Sequence, residues 1–252
     1  MDLAPDLAAL RPLGGFFLLR TASPAGAAQP WRLLPTLADA YDDTSSDDSG
    51  TPVAIRVRHV SSALHTREPR VGASIAHQGL AARLWSVALG CAALYAGVPD
   101  LGPRLLRWDP AAGAPEDLWL TEVRALPATA AVLTGTVLHG HLRPLAEVLH
   151  ARYGIAAGLL WGNAASALAG AVRELDRWAR ERGRRDVADR AGTLAAELVT
   201  HPLLSDAGAF TEAGYRRRSC CLYYRVPGGG LCGDCCFTRP PHPSPKVPPG
   251  RS

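Results

Sequence analysis

Leu160-Trp161-Gly162-Asn163-Ala164-Ala165-Ser166-Ala167-Leu168-Ala169-Gly170-Ala171-Val172-Arg173-Glu174-Leu175-Asp176-Arg177-Trp178 decides the class of the fold. Leu160, Ala164, Ala167, Leu168, Ala171, Leu175 and Trp178 recur at steps of three and four, while Arg173, Glu174, Asp176, Arg177, Arg180 and Glu181 take the other face. That period is a helix laid on a core. Beyond Gly183 the stripe Val187, Ala191, Leu194 and Leu198 predicts a second helix ending near His201-Pro202. On the other side, Pro144 suits a first helical turn and Gly154 a break. A further helix is expected from about Val71 to Ala96, stopped by Gly97 and Pro99. Leu105–Trp108 and Leu118–Val123 alternate like strands across the turn-rich 109–113, and Gly15–Arg20 reads as a short apolar strand. The expectation is an α+β chain, mainly helical, with a small antiparallel sheet from the N-terminal half and a C-terminal Cys-rich segment.

Three regions follow. Residues 1–214 form the helical body, in which 38–50, acidic and Ser-rich, reads as a mobile loop with solvated acids. Residues 215–237 carry the cysteines. Residues 238–252 hold six prolines in fifteen positions and are expected to be disordered. No repeat of solenoid length is present.

Composition excludes several chemistries. The chain has 252 residues, 47% hydrophobic and 20% charged, with a net charge of +4, too mild to argue for nucleic acid or an anionic membrane. Lys246 is its one lysine, so 26 of the 27 Lys and Arg residues are arginines. A P-loop lysine, a pyridoxal Schiff base and a catalytic lysine base are therefore excluded from the body. The sole Met is Met1. The first residues carry acids where a secretory signal would carry bases, and the longest uncharged run, 153–172, is rich in Gly and Ala. The expected setting is a reducing cytoplasm without a transmembrane span, or the inner face of the membrane, where clustered cysteines serve metal or redox chemistry.

Five of the six cysteines lie within seventeen residues as Cys220-Cys221-x10-Cys232-x2-Cys235, with Cys236 beside them. Soft thiolates select zinc, copper(I) or iron–sulfur. Adjacent cysteines strain a single tetrahedral ion, which favours an iron–sulfur cluster while leaving zinc open. The spacing matches neither common ferredoxin pattern. Gly233 allows a tight turn in Cys232-Gly-Asp-Cys235 that points amides at sulfur.

The stretch Arg218-Ser-Cys-Cys-Leu-Tyr-Tyr-Arg-Val-Pro-Gly with Cys232-Gly-Asp-Cys235 resembles the C-terminal signature of the FhuF-like ferric-siderophore reductases. His77-Gln-Gly-Leu-Ala-Ala-Arg-Leu-Trp-Ser86 and Leu160–Leu168 are similar to internal stretches of that family, so the likeness spans roughly residues 70 to 237. The resemblance implies a [2Fe–2S] cluster on Cys220, Cys221, Cys232 and Cys235. It implies an oxidoreductase that passes one electron to a ferric siderophore, expected to be of hydroxamate type, and releases Fe(II). Cys236 departs from the pattern and reads as a small buried side chain.

Arg216, Arg217, Arg218 and Arg225 flank the cysteines, and with Tyr223 and Tyr224 are the expected docking residues. Trp161 reads mainly as helix-face packing, and Asn163 as a weak candidate for shaping a pocket. Gly228-Gly-Gly230-Leu-Cys-Gly233 matches the dinucleotide fingerprint in letters but opens no helix after a strand. The electron donor is therefore expected to be a separate ferredoxin or flavoprotein reductase. His139-Gly-His141 lacks a third donor nearby, His77 reads as a buried histidine with its ring nitrogens satisfied, and Cys91 as a small core residue. The rival readings are a non-enzymatic zinc knuckle and an electron-transfer module for siderophore biosynthesis.

Overall fold

The computed structural model describes Leu7 and residues 10–21, 30–42, 50–211 and 214–241. Helices α1 (Leu37–Tyr41), α2 (Pro52–Ala63) and α3 (Pro69–Tyr95) come first. A short α4 (Ala130–Leu133) runs through π-helical turns over Thr134–Leu142 into α5 (Arg143–Tyr153). Then follow α6 (Ala157–Glu181), α7 (Arg185–Leu198) and the single turn α8 (Pro202–Ser205).

The centre is α3 against α6, with α7 packed on both and α2 on α3. From Leu84 to Ala93 every residue of α3 is buried, so the helix has no solvent face there. A helix apolar all round belongs in the middle of a fold. Gly90 is part of the reason it fits: a Cβ there would come within 2.9 Å of the Phe17 ring, which lies in the core. The stripe expected on α6 is buried from Leu160 to Leu175, and Trp178 packs at its edge. Its charged face is exposed and pairs along the helix, Arg177 with Glu174 and Arg180 with Asp176 at 2.9 Å.

Among the described residues the strands are short and fall into three sheets. β3 (Leu106–Trp108) pairs antiparallel with β4 (Leu118–Leu120), as the alternation predicts. β1 (Arg20–Thr21) adds in parallel to β4, so the strand expected over Gly15–Arg20 shrinks to its last residue and the next. β2 (Gly97–Pro99) pairs with β5 (Ala125–Pro127). A third, C-terminal hairpin joins β6 (Gly208–Thr211) to β7 (Gly214–Arg217). The class is therefore mainly helical with small sheets, one of them outside the N-terminal half.

The loop expected over 38–50 is corrected at its start. Residues 38–41 are helical, because Thr36 and Asp39 cap α1 reciprocally: Thr36 N donates to Asp39 at 2.7 Å and Asp39 N to Thr36 Oγ1 at 3.1 Å. Residues 43–49 of the acidic stretch and 242–252 of the Pro-rich tail lie outside the described residues. Helix α2 was not expected, since Val53, Ile55 and Val57 alternate as in a strand. Its start signal was nonetheless present, in Thr51 capping the Ala54 amide and Pro52 in the first turn.

A buried ion cluster ties the N-terminal turn to this frame. Asp117, 1% exposed, accepts from Arg83 Nε at 3.0 Å and Arg56 Nη2 at 2.9 Å. Arg83 Nη1 donates onward to the carbonyls of Gly15 (2.9 Å) and Phe16 (2.7 Å).

Candidate iron–sulfur centre

The β6–β7 hairpin carries the chain from α8 to the cysteines and lays Arg217 against α6. Arg217 is 2% exposed. Its guanidinium donates to Asn163 Oδ1 and more loosely to Gln78 Oε1 and the Leu159 carbonyl, each at 3.4 Å. Asn163, fully buried in α6, donates to Ser74 O (2.8 Å) and Ser74 Oγ (3.1 Å), and the Ser74 hydroxyl donates to the Cys221 carbonyl at 2.8 Å. One polar line thus runs from the hairpin through both central helices to the first cysteine pair. Gly162 lets the segment come this close, because a Cβ there would sit 2.2 Å from Ser219 Oγ. That hydroxyl instead donates to the Gly158 carbonyl at 2.9 Å.

The second cysteine pair is anchored separately. Asp234 accepts from Ser166 Oγ at 2.6 Å and from Arg173 at 3.3 Å, and its carbonyl accepts from the Arg217 amide at 3.0 Å. The two arms are thus tied to one surface of α6.

The thiols meet one another. Cys221 Sγ accepts from the thiols of both Cys220 and Cys232, and these hydrogen bonds hold Cys221 far below the ordinary thiol range while pushing its two partners up. Cys235 lies within electrostatic reach of Cys232, and the Cys236 thiol is raised by burial beside it. Amides two residues on donate to three of the sulfurs: Leu222 N to Cys220 at 3.3 Å, Tyr223 N to Cys221, and Phe237 N to Cys235 at 3.5 Å. Leu222 takes a left-handed φ of 68° to do so, at a cost of about 1 kcal/mol. Gly233 does not have a positive φ, so its smallness is not what turns the chain. Amides aimed at sulfur are the second shell that orients thiolates and tunes an iron–sulfur centre. Among the described residues, no three His, Cys, Asp or Glu side chains form a single-ion site. The donor set, thiols linked side by side with amide support, fits an iron–sulfur centre by its chemistry.

Of the expected docking residues, Arg216, Arg218 and Arg225 reach solvent; Arg216 donates to the Cys236 carbonyl at 3.2 Å. Arg218 pairs with Asp206 at 3.1 Å, and Arg225 with Glu68 at 2.8 Å. Arg217 does not reach solvent. It alternates inward along β7 and its guanidinium is hydrogen-bonded to Asn163, so it is a structural link and not a surface group. Tyr223 and Tyr224 are half-buried, Tyr224 edge-on to Phe237 with ring centres 5.9 Å apart. Cys91 is buried in the core, as read, and so is His77, but neither ring nitrogen of His77 has a hydrogen-bond partner, so the satisfied histidine expected there is corrected to an unpartnered one. The histidines of 139–141 diverge: His141 Nε2 donates to Leu101 O at 2.5 Å while Nδ1 accepts from Tyr41, and His139 meets His201 edge-on. Ser74 escaped the sequence reading, and Asn163 was a pocket candidate whose amide instead serves this link.

A family model described as ferric iron reductase FhuF-like transporter matches residues 47–207, and one for the FhuF 2Fe-2S C-terminal domain matches residues 217–237. No curated protein matches the chain. The second match covers the segment whose thiols meet, and it indicates a [2Fe–2S] cluster. No described helix is long and apolar enough to cross a membrane. With the first match covering well over half of its length, the chain belongs to the FhuF-like ferric iron reductase family.

Proposed function

We propose that this ferric reductase acts on ferric siderophores in the cytoplasm or at the inner face of the membrane, with Cys220, Cys221, Cys232 and Cys235 as the cluster ligands. The observation that carries the reading is the hydrogen bond between the two cysteine arms, the buried Cys221 with the partly exposed Cys232. When bound, a [2Fe–2S] centre supplies electrons one at a time. A single electron converts Fe(III) to Fe(II), whose lower charge weakens its bonds to hard oxygen donors.

The chain's own residues orient and shield. The i+2 amides and the Ser74–Asn163–Arg217 line fix the thiolates, and Arg216, Arg218 and Arg225 set a positive field around them. With no dinucleotide-binding turn in the 228–233 loop, a separate one-electron donor protein such as a ferredoxin or flavoprotein reductase reduces the chain.

The test mixes anaerobic, dithionite-reduced and desalted protein with ferric trihydroxamates, following bleaching recovery against ferrous-iron trapping. Matching one-electron stoichiometry is expected, and nicotinamide alone leaves the oxidised protein unchanged. A colourless protein with stoichiometric zinc, or a cluster that no ferric chelate reoxidises, would overturn the proposal. Arg216→Gln with Arg218→Gln should slow reoxidation by anionic chelates most at low salt, where screening is weakest.

A further inference from the structure

One cavity in the fold is walled by a cysteine of the centre. It has a volume of about 440 Å³, within the range of small-molecule sites. It lies in the groove between α3 and α6, closed at one end by the N-terminal turn and at the other by Cys232-Gly233-Asp234. We propose that this pocket, and not the arginine-flanked hairpin, is the seat of the uncharged trihydroxamate complex that the family resemblance implies. The inference rests on the reductase reading above and adds where the chelate sits.

Three features of the lining support that occupant. First, its charges cancel in place: Arg173 pairs with Asp234 at 3.3 Å and Arg177 with Glu174, so no unbalanced charge awaits a trianion. A trishydroxamate of Fe(III) is neutral, three single negative charges on a triple positive one, whereas a triscatecholate carries three negative charges. Second, the mouth is apolar. Phe16 is 45% exposed, an uncommon state for a large hydrophobic side chain, and its backbone is pinned through Arg83 to Asp117. Such an exposed ring suits the methylene arms of a linear chelator. Third, a neutral donor is available: the Gln78 carbonyl oxygen is taken by Arg217 at 3.4 Å, which leaves its NH2 for a ligand oxygen. Cys232 at the floor brings any occupant beside the centre.

Gly170 offers a clean probe. A Cβ there meets only the tip of Arg173 at 3.8 Å, so a larger side chain enters the pocket without disturbing the core, and leucine is the better helix former. Binding is measured calorimetrically with redox-inert gallium(III) complexes, so the readout is independent of electron transfer. Wild-type protein should bind the gallium complex of a linear trihydroxamate, and gallium triscatecholate at least about tenfold more weakly. Gly170→Leu should lose about tenfold or more with its visible spectrum unchanged, and Phe16→Ala and Gln78→Leu should each weaken binding several-fold. Undiminished binding in Gly170→Leu, or no binding by wild type, overturns the seat. Protein that is reoxidised by ferric trihydroxamate yet binds gallium equally well after Gly170→Leu keeps the reductase reading and loses the pocket. Protein that binds gallium as expected but is never reoxidised keeps the pocket and loses the reductase reading.

Discussion

Cys235 and Cys236 are neighbours with opposite expected roles, and one atom separates the outcomes. Serine in place of Cys220, Cys221, Cys232 or Cys235 should bleach or markedly shift the visible spectrum, because alkoxide is a poor substitute for thiolate. Cys236→Ser should keep colour and iron content. Its thiol is tied to Cys235 and its carbonyl to Arg216, contacts that place it beside the centre. Iron and sulfide analysis across the five variants decides this, and loss of the cluster in Cys236→Ser alone would shift the ligand set by one residue. The cysteines were legible because their spacing is local. Ser74 was not, since the carbonyl it meets belongs to a residue 147 positions away and nothing in its neighbourhood announces that. The Asp117 cluster is hidden for the same reason, its arginines lying 34 and 61 positions off.

Among the elements, α6 serves two masters. One face packs on α3, and the adjoining small residues receive the cysteine segment. Gly162→Ala puts these roles in opposition. Alanine in a helix interior gains up to about 1 kcal/mol over glycine, while its Cβ evicts the Ser219 hydroxyl from the Gly158 carbonyl. Global urea stability should hold or rise, and amide exchange across 215–237 should speed up. Equal exchange in both proteins would show that the close approach is immaterial. Helices α6 and α7 were readable from period alone, since each buries a long stripe, whereas α3, apolar all round, was read from its stop at Gly97 and Pro99. The β6–β7 hairpin was not, because two strands of four residues give too few alternations, and the burial pattern of β6 shows no buried face at all.

For the fold as one unit, acid is the expected weakness. Burial holds His141 at about 4 and His77 at about 3, below the ordinary 6.5, so both are neutral when folded. The unfolded chain takes up those protons first as pH falls. The stabilisation is therefore complete above pH 6.5 and is lost progressively toward pH 4 and below, with a limiting slope of roughly 1.4 kcal/mol per pH unit for each histidine. Urea midpoints taken from pH 7 to pH 4.5 should fall, and His141→Gln should flatten that fall whatever its effect at pH 7. A slope unchanged by the substitution would assign the acid sensitivity elsewhere.

The attachment of Asp234 to Ser166 and Arg173, made without any sulfur, bears on how the protein is born. Helices α3 and α6 leave the ribosome before the cysteines do, and their polar groups can receive the last segment while it is still metal-free. Maturation then becomes a late insertion into a waiting cradle, and not a nucleus around which the chain must fold. Chain made under iron starvation should show full helical circular dichroism and resist protease over 69–198. Only the 215–237 segment should gain protection when iron and sulfide are restored. A starved chain without helical structure would make the cluster a partner in folding from the start.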